Sequence, residues 1–439
     1  MCLDAKIEMG SRAELRAVQE ERFQVMQRHA YEHSPLMRRK FDSVGLRPSD
    51  LPDLSHLPKL PFVTKDELRE SQVAVPPYGD FMGVPVEKCL RIHQTSATTG
   101  RPLLVLDAWE DWRGLYLAYA RALYAAGVRP ADMAMPAFSF GPWIGFWLSV
   151  YALQEIGALL YPSGGMSTEQ RLDTLLTYPI TVVGCTPSYA LYMIEQARRK
   201  GIDLATQSKV RLTFHTGEPG ASIAGTKRRL QEGFGALAFD LPGLTEVVLW
   251  GFECAEQSGK LHLNEDYCYC EILDPESGAE APPGDVGELV VTNLFRKSLP
   301  LLRYRTRDLV RRAAEPCPCG RTLACIDGGI IGRLDDMKKV RGVIVYPSRV
   351  EEAVRRFEAA DEFQIIFRRR QGLDDILVRV DPSPTLAEEE RQHLRQRMSA
   401  ELRNELGLRV SVEIVASGSL PRFEHKARRV VDERTEVPF

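Results

Sequence analysis

An α/β protein with a large N-terminal α/β domain, an antiparallel β subdomain and a small α+β C-terminal domain is what these 439 residues predict. Three observations carry that expectation. Apolar strand-like runs, polar turns and amphipathic helices alternate from about residue 90 to 240, the signature of a largely parallel sheet. From about 262 to 330, short alternating segments such as Tyr269 to Leu273 and Glu288 to Thr292 are separated by Gly- and Pro-rich turns, which predicts an antiparallel subdomain. After Gly332-Arg333 a new series of strands and charged helices begins, long enough for a domain of its own. The domains accordingly fall at 1–334 and 335–439.

The elements follow in order. Residues 12–42 read as helix, with Leu15, Val18, Phe23, Val25 and Met26 on an apolar face. Thr64-Lys65-Asp66-Glu67 reads as an N-cap with acids in the first turn. Cys89 to Ile92 and Leu103 to Leu106 are strand-like and flank a hydroxyl-rich turn. Ala108 to Ala126 is a helix. Gly157 to Pro162 reads as a buried strand, Ser167 caps the next helix with Gln170 at the capping-box position, and Ile180 to Cys185 is a strand. Thr186-Pro187 opens a helix, and Val210 to Phe214 is a strand that ends in His215-Thr216-Gly217-Glu218-Pro219. In parallel sheets, ligands bind at turns on the carboxyl ends of strands. The turns at 94–102, 215–220 and 240–246 therefore converge on one expected cleft. Beyond Val343 to Tyr346, Ser348 caps a helix to about Ala360. Phe363 to Phe367 pairs with Ile376 to Val380, Ala387 to Leu406 is a helix, and Val410 to Val415 is the last strand.

Composition narrows the function. There are 57 Lys and Arg against 60 Asp and Glu, a net charge of −3, so no basic excess points to nucleic acid or an anionic membrane. No apolar stretch reads as a membrane span. The start, Met1-Cys2-Leu3-Asp4-Ala5-Lys6, lacks a signal-peptide core, and nine cysteines then fit a reducing, cytoplasmic setting.

Three clusters carry chemistry. Thr95-Ser96-Ala97-Thr98-Thr99-Gly100-Arg101-Pro102 places four hydroxyls before a glycine and a cation. Its O–H and N–H donors can wrap an anion; alone, it is equally a polar surface turn. Phe138-Ser139-Phe140-Gly141-Pro142-Trp143, followed by Phe146-Trp147, is the densest aromatic cluster. Its default role is core packing, and its glycine and proline also suit a slot for a flat apolar ligand. Cys254 and His262, with Cys317 and Cys319, flank the antiparallel region. Three thiolates and an imidazole match a closed structural Zn²⁺ site, and Cys268, Cys270 and Cys325 are near enough to substitute.

The hydroxyl turn resembles the phosphate loop of the adenylate-forming ligases. Asp240-Leu241-Pro242-Gly243-Leu244-Thr245-Glu246 is similar to their second nucleotide motif, and Leu302 to Leu309 to their ribose-binding segment. Gly332-Arg333-Leu334-Asp335-Asp336-Met337 resembles their hinge, and Gly418 to Arg428 their C-terminal lysine motif. Arg91-Ile92-His93, Cys185 to Tyr189 and Gly342 to Ser348 resemble the phenylacetate–CoA ligase-like branch. The resemblance spans nearly the whole chain. It implies two steps: a carboxylate attacks ATP to give an acyl-adenylate and pyrophosphate, then a thiol displaces AMP.

Roles follow from the resemblance. Ser96, Thr98, Thr99 and Gly100, with Thr95, hold the triphosphate. Glu246 binds Mg²⁺, Asp308 binds the ribose hydroxyls, Gly217, Glu218 and Pro219 wall the adenine slot, and Asp240, Thr245 and Arg333 complete the nucleotide site. Lys426, Glu246 and Thr98 form the catalytic set, Lys426 neutralising charge on the α-phosphate. Phe138, Phe140, Gly141, Trp143, His215 and Gly243 line the acid site. Asp335 or Asp336 is the pivot of a mobile C-terminal domain that removes Lys426 and admits CoA. Pro242 stands where the family has a stacking tyrosine, Arg307 where it has a glycine, and Phe423 and His425 where it has small residues. The expected substrate is an aryl acid (phenylacetate-, benzoate- or aminobenzoate-like), with ATP and CoA as partners. An acyl carrier protein as acceptor, a non-catalytic acyl-binding descendant and a homodimer are the alternatives left open.

Overall fold

The computed structural model describes residues 2–95, 102–139, 141–247, 249–370, 373–384, 386–423 and 427–434. The chain opens with helices α1 (Ala5–Glu8), α2 (Arg12–His33), α3 (Pro35–Asp42) and α4 (Lys65–Ala74). The helical stretch expected over 12–42 divides at Ser34, whose backbone is extended. Pro35 lacks the N–H that a continuous helix needs, and the Ser34 hydroxyl caps α3 at Met37. The expected N-cap at Thr64 forms a reciprocal capping box with Glu67.

Strands β1 (Cys89–Gln94) and β2 (Leu104–Ala108) form a separate antiparallel hairpin. The strands that flank the hydroxyl turn therefore pair with each other outside the parallel sheet, to whose turns 94–102 was expected to belong. The link is too short for a parallel crossover, which takes a dozen residues or more. Helix α5 (Trp109–Ala126) follows, then β3 (Met133–Pro136), α6 (Ile144–Ile156), β4 (Leu159–Leu160), α7 (Thr168–Thr177), β5 (Val182–Cys185), α8 (Pro187–Arg199), α9 (Leu204–Gln207), β6 (Leu212–His215), α10 (Ala224–Phe234) and β7 (Leu237–Asp240). The strands form a parallel sheet in the order β4-β3-β5-β6-β7. The buried strand expected at 157–162 is only a two-residue edge, with Leu159 64% exposed.

The antiparallel region holds β8 (Gly251–Glu253), β9 (Lys260–Leu263), β10 (Cys268–Leu273), β11 (Val286–Asn293), β12 (Tyr304–Arg312) and β13 (Cys325–Arg333), ordered β10-β11-β12-β13-β9-β8. It begins at Gly251, earlier than the expected 262. The first domain's apolar core runs continuously from Phe23 and Phe41 through Trp112 and Phe214 to Trp250 and Leu301.

The last segment comprises β14 (Lys338–Val340), β15 (Val343–Val345), α11 (Pro347–Arg355), β16 (Ala360–Arg370), β17 (Leu373–Pro382), α12 (Glu388–Leu406), β18 (Ser411–Ile414) and β19 (Val430–Asp432). Its sheet is ordered β18-β17-β16-β19 over a core of its own that includes Val345, Phe363, Val378 and Met398. Sequence reasoning missed β19, a three-residue strand with no alternation to read. This unit docks on the first through α10. A Cβ on Gly225 would lie 2.6 Å from the Arg355 carbonyl oxygen. Arg229 donates to the Ala360 carbonyl at 2.7 Å and also to that of Phe357.

Candidate active site

The β1–β2 hairpin is closed at its neck by a reciprocal pair: Thr95 N donates to Leu103 O at 3.0 Å, and Leu103 N donates to Thr95 Oγ1 at 3.1 Å. The Thr95 hydroxyl thus helps to hold the neck. The expected phosphate-binding residues Ser96, Thr98, Thr99 and Gly100 lie outside the described residues.

The hairpin is wired to Glu246. Arg296, fully buried, donates through Nε to Asp107 Oδ1 on β2 at 2.8 Å. Its Nη1 donates to the carbonyls of Thr245 at 2.6 Å and Val247 at 3.1 Å. One guanidinium therefore fixes the backbone on both sides of Glu246 relative to the hairpin.

Glu246 itself is 2% exposed. Lys65 Nζ donates to its Oε1 at 2.8 Å, and Tyr304 OH donates to the same oxygen at 3.2 Å. Burial pushes the Glu246 pKa up, but the Lys65 ammonium and the Tyr304 hydroxyl outweigh it, so the group titrates below its usual range and stays ionised. Burial, reinforced by Glu246, keeps the Tyr304 phenol protonated as a donor. Sequence reasoning missed Lys65. Its signal was indirect: a lysine at the first position of a capped helix just after an apolar segment. That segment docks as an extra strand, with Val63 N donating to Arg303 O at 3.0 Å and Arg305 N to Val63 O at 2.9 Å. The docking delivers Lys65 to Glu246.

Asp308 lies four residues beyond Tyr304 on β12 and faces Arg333 in the β12–β13 register. Arg333 Nη1 donates to Asp308 Oδ1 at 2.7 Å, while its Nε and Nη2 hold Asp335, each at 3.0 Å. The neighbouring arginines are engaged elsewhere: Arg303 with Glu271 and Arg305 with Glu288. Arg307 has φ of +67°, the left-handed region that favours glycine. That conformation explains why a glycine suits the position.

Other expected site residues are placed differently. His215, expected to line the acid site, is completely buried in β6. Its Nδ1 meets Cys185 O at 3.1 Å and its Nε2 meets Thr213 Oγ1 at 2.9 Å. Burial lowers its pKa to about 4, so it is neutral at physiological pH. Asp240, expected at the nucleotide, is enclosed with Glu253, which Lys227 neutralises. Burial, opposed by a Ser222 hydrogen bond and reinforced by Glu253, raises the Asp240 pKa to about 7. The Glu218 carboxylate accepts from Ser188 N and from Ala427 N, each at 2.8 Å. It therefore bridges α8 and the C-terminal segment rather than simply walling a slot. Gly217 keeps the left-handed backbone, φ +95°, that its turn requires.

In the aromatic cluster, Phe138 packs on Phe214, their ring centroids 6.3 Å apart. The Trp143 ring occupies the space a Cβ on Gly141 would need, 2.8 Å away, and Trp147 Nε1 donates to Gly141 O at 3.0 Å. Gln94 N donates to Pro142 O at 2.9 Å, which sets this cluster beside the hairpin neck. Arg91 stacks near Trp112, Trp147 and Tyr151, 4.7, 4.5 and 5.0 Å from their centroids. Phe140 and Lys426 lie outside the described residues. Gly243, half-buried, and Thr245 stay on the Glu246 segment, beside Pro242, which packs 3.3 Å from the Cβ position of Gly251.

Away from these groups, ligand atoms of Cys254, His262, Cys317 and Cys319 all lie within 4.8 Å of one another. Cys254 Sγ is 3.7 Å from Cys317 Sγ, and Cys319 Sγ is 3.3 Å from His262 Nε2. Tetrahedral Zn–S bonds of about 2.3 Å put two sulfurs about 3.8 Å apart. Cys325 lies 3.3 Å from His262 Nδ1, so it supports the imidazole from the opposite side. Cys268 and Cys270 form a separate pair, 3.7 Å apart.

The family model of the AMP-binding enzyme C-terminal domain matches residues 342–434. Over 437 residues the chain is 36% identical to a phenylacetate–coenzyme A ligase of Escherichia coli K12, with 98% of each chain covered. It superposes on the 2-hydroxyisobutyryl–CoA ligase in its postadenylation state with a TM-score of 0.91 and 32% identity, over 98% of this chain and 92% of that one. Against the same ligase in its thioesterification state, the coverage is the same, the identity is 33% and the TM-score is 0.73. The chain as a whole therefore resembles the former state more than the latter.

Proposed function

The chain belongs to the phenylacetate–coenzyme A ligase family, and from that premise we propose an aryl acid as its substrate. It is an AMP-forming acid–CoA ligase: ATP activates a carboxylic acid as its acyl-adenylate, and the CoA thiol then takes the acyl group. The observation that carries the site assignment is the junction of Lys65, Glu246 and Tyr304 with the Asp308–Arg333 pair on neighbouring strands. Phe138, Gly141 and Trp143 beside the hairpin neck support a flat acid.

The chain's own groups then have distinct work. Asp308, oriented by Arg333, accepts from the ribose hydroxyls. Lys65 and Tyr304 both contact Oε1 of Glu246 and so fix the carboxylate in place. The ionised, hard-oxygen Glu246 carboxylate fits Mg²⁺ and would hold it, and the ion would supply charge neutralisation at the phosphoryl groups. The acid's carboxylate oxygen attacks the α-phosphorus and pyrophosphate leaves. Lys426 stabilises the charge that develops there. The thiol later adds to the acyl carbonyl and AMP leaves.

The test is a panel of phenylacetate, benzoate, 2-aminobenzoate and 2-hydroxyisobutyrate, read by pyrophosphate release with and without CoA. Aryl acids are expected to lead; superiority of 2-hydroxyisobutyrate would overturn the aryl assignment. The Cys/His cluster fits one structural Zn²⁺ per chain. Metal analysis is expected to return about one zinc, and stripping it with a chelator to lower the melting temperature. A metal-free protein with unchanged melting would remove the zinc site.

A further inference from the structure

The segment 418–427 is held on both sides of residues 424–426. Upstream, Arg422 donates through Nε to Glu195 Oε2 at 2.8 Å and through Nη1 to Asp381 Oδ2 at 2.9 Å. Asp381 also accepts from Gly418 N at 2.8 Å and Leu420 N at 3.1 Å, so the turn and the arginine form one unit. Downstream, Ala427 N donates to Glu218 Oε2. Both external partners belong to the same strip of the large domain. Glu195 lies on α8, and Glu218 Oε1 accepts from Ser188 N in the first turn of that helix. The strip is thus gripped at two points, one on each side of the residue that the proposed mechanism gives to acid activation.

We infer that Glu195 and Glu218 are positioning residues that seat the C-terminal segment on α8 for the acid-activating half-reaction alone. The inference rests on the ligase reading and deepens it. Both contacts join the C-terminal unit to the large one. A C-terminal domain that leaves the postadenylation-like position must break the Arg422–Glu195 pair and the Ala427–Glu218 bond. The Arg422–Asp381 pair lies within the C-terminal unit and travels with it. Charge-assisted bonds of this kind are strong enough to bias a domain equilibrium and still be reversible.

Glu195→Gln and Glu218→Ala test this in two half-reactions. Phenylacetate-dependent exchange of labelled pyrophosphate into ATP reads activation. Discharge of pre-formed phenylacetyl-adenylate by CoA reads thioester formation. Each variant is expected to lose at least tenfold in exchange kcat with the discharge rate within twofold of wild type, and Glu195→Gln to keep the ATP KM within twofold. Equal loss in both half-reactions, or a rise in ATP KM without loss of kcat, would overturn the positioning role in favour of a general structural or nucleotide-binding one. Amide hydrogen exchange supplies a readout that needs no activity. The Ala427 amide is expected to be protected in wild type and to lose that protection in Glu218→Ala. An unprotected Ala427 in wild type would overturn the inference even if the enzyme is active. Absence of exchange with any acid in wild type would overturn the ligase reading, leaving the Ala427 result to decide this one.

Discussion

Without its Lys65 partner, Glu246 would be a nearly enclosed carboxylate with Tyr304 as its remaining side-chain donor. Lys65→Ala is therefore expected to cut acid-dependent pyrophosphate exchange about 10²-fold, the scale of losing one pre-organised charge in a dry site, with Lys65→Arg retaining part of it. Exchange kinetics check this, and a wild-type rate in Lys65→Ala would remove the residue from the site. His215 has a consequence for acid stability. Its folded pKa of about 4 lies below the 6.5 of a free imidazole. Unfolding therefore takes up a proton below pH 6.5, and stability is lost as pH falls from 6.5 through 4, by about 3 kcal/mol in full. Above pH 6.5 this group contributes no pH dependence. Melting curves are expected to fall across that window in wild type and to flatten in His215→Gln.

At the scale of elements, the parallel sheet, the antiparallel region and the C-terminal α+β unit were readable because each has its own period and its own spacing of turns. The gathering of Cys254, His262, Cys317 and Cys319 was readable because their residue types are chemically selective. Lys65 and Arg296 were not. Each is a cation in an ordinary context, and its role comes from partners about 181 and 189 positions away, respectively, which no local pattern encodes. The partners of His215 were not readable either, because both ring nitrogens are engaged by groups that only the folded sheet brings together. Arg296 gives the sharpest test of an element link. Arg296→Met leaves the Asp107 charge buried and is expected to cost about 3–5 kcal/mol in urea unfolding, with Asp107→Asn in the same chain recovering part of the loss. A single-variant loss below about 1 kcal/mol would mean that the hairpin and the Glu246 segment are held by other contacts.

At the scale of the whole molecule, Arg229 is one of the side chains that join the two units. Burial lowers its pKa to about 10, still charged at neutral pH, and its guanidinium ends on two carbonyls of the C-terminal unit. Arg229→Ala is expected to speed proteolytic cleavage near residues 335–342 several-fold while leaving the melting of the large domain unchanged. Equal cleavage rates would show that the docked arrangement does not depend on it.

The docking of Val63 on β12 also sets an order in time. Val63 and Tyr304 are 241 residues apart, 304 minus 63, yet they are bridged. At 5–20 residues per second, a ribosome makes the second roughly 12–50 s after the first. During that interval the stretch from Leu60 to Lys65 has no strand to join, so the nucleotide end of the large domain can close only late in synthesis. The long separation also makes it a slow step when the full chain refolds in vitro.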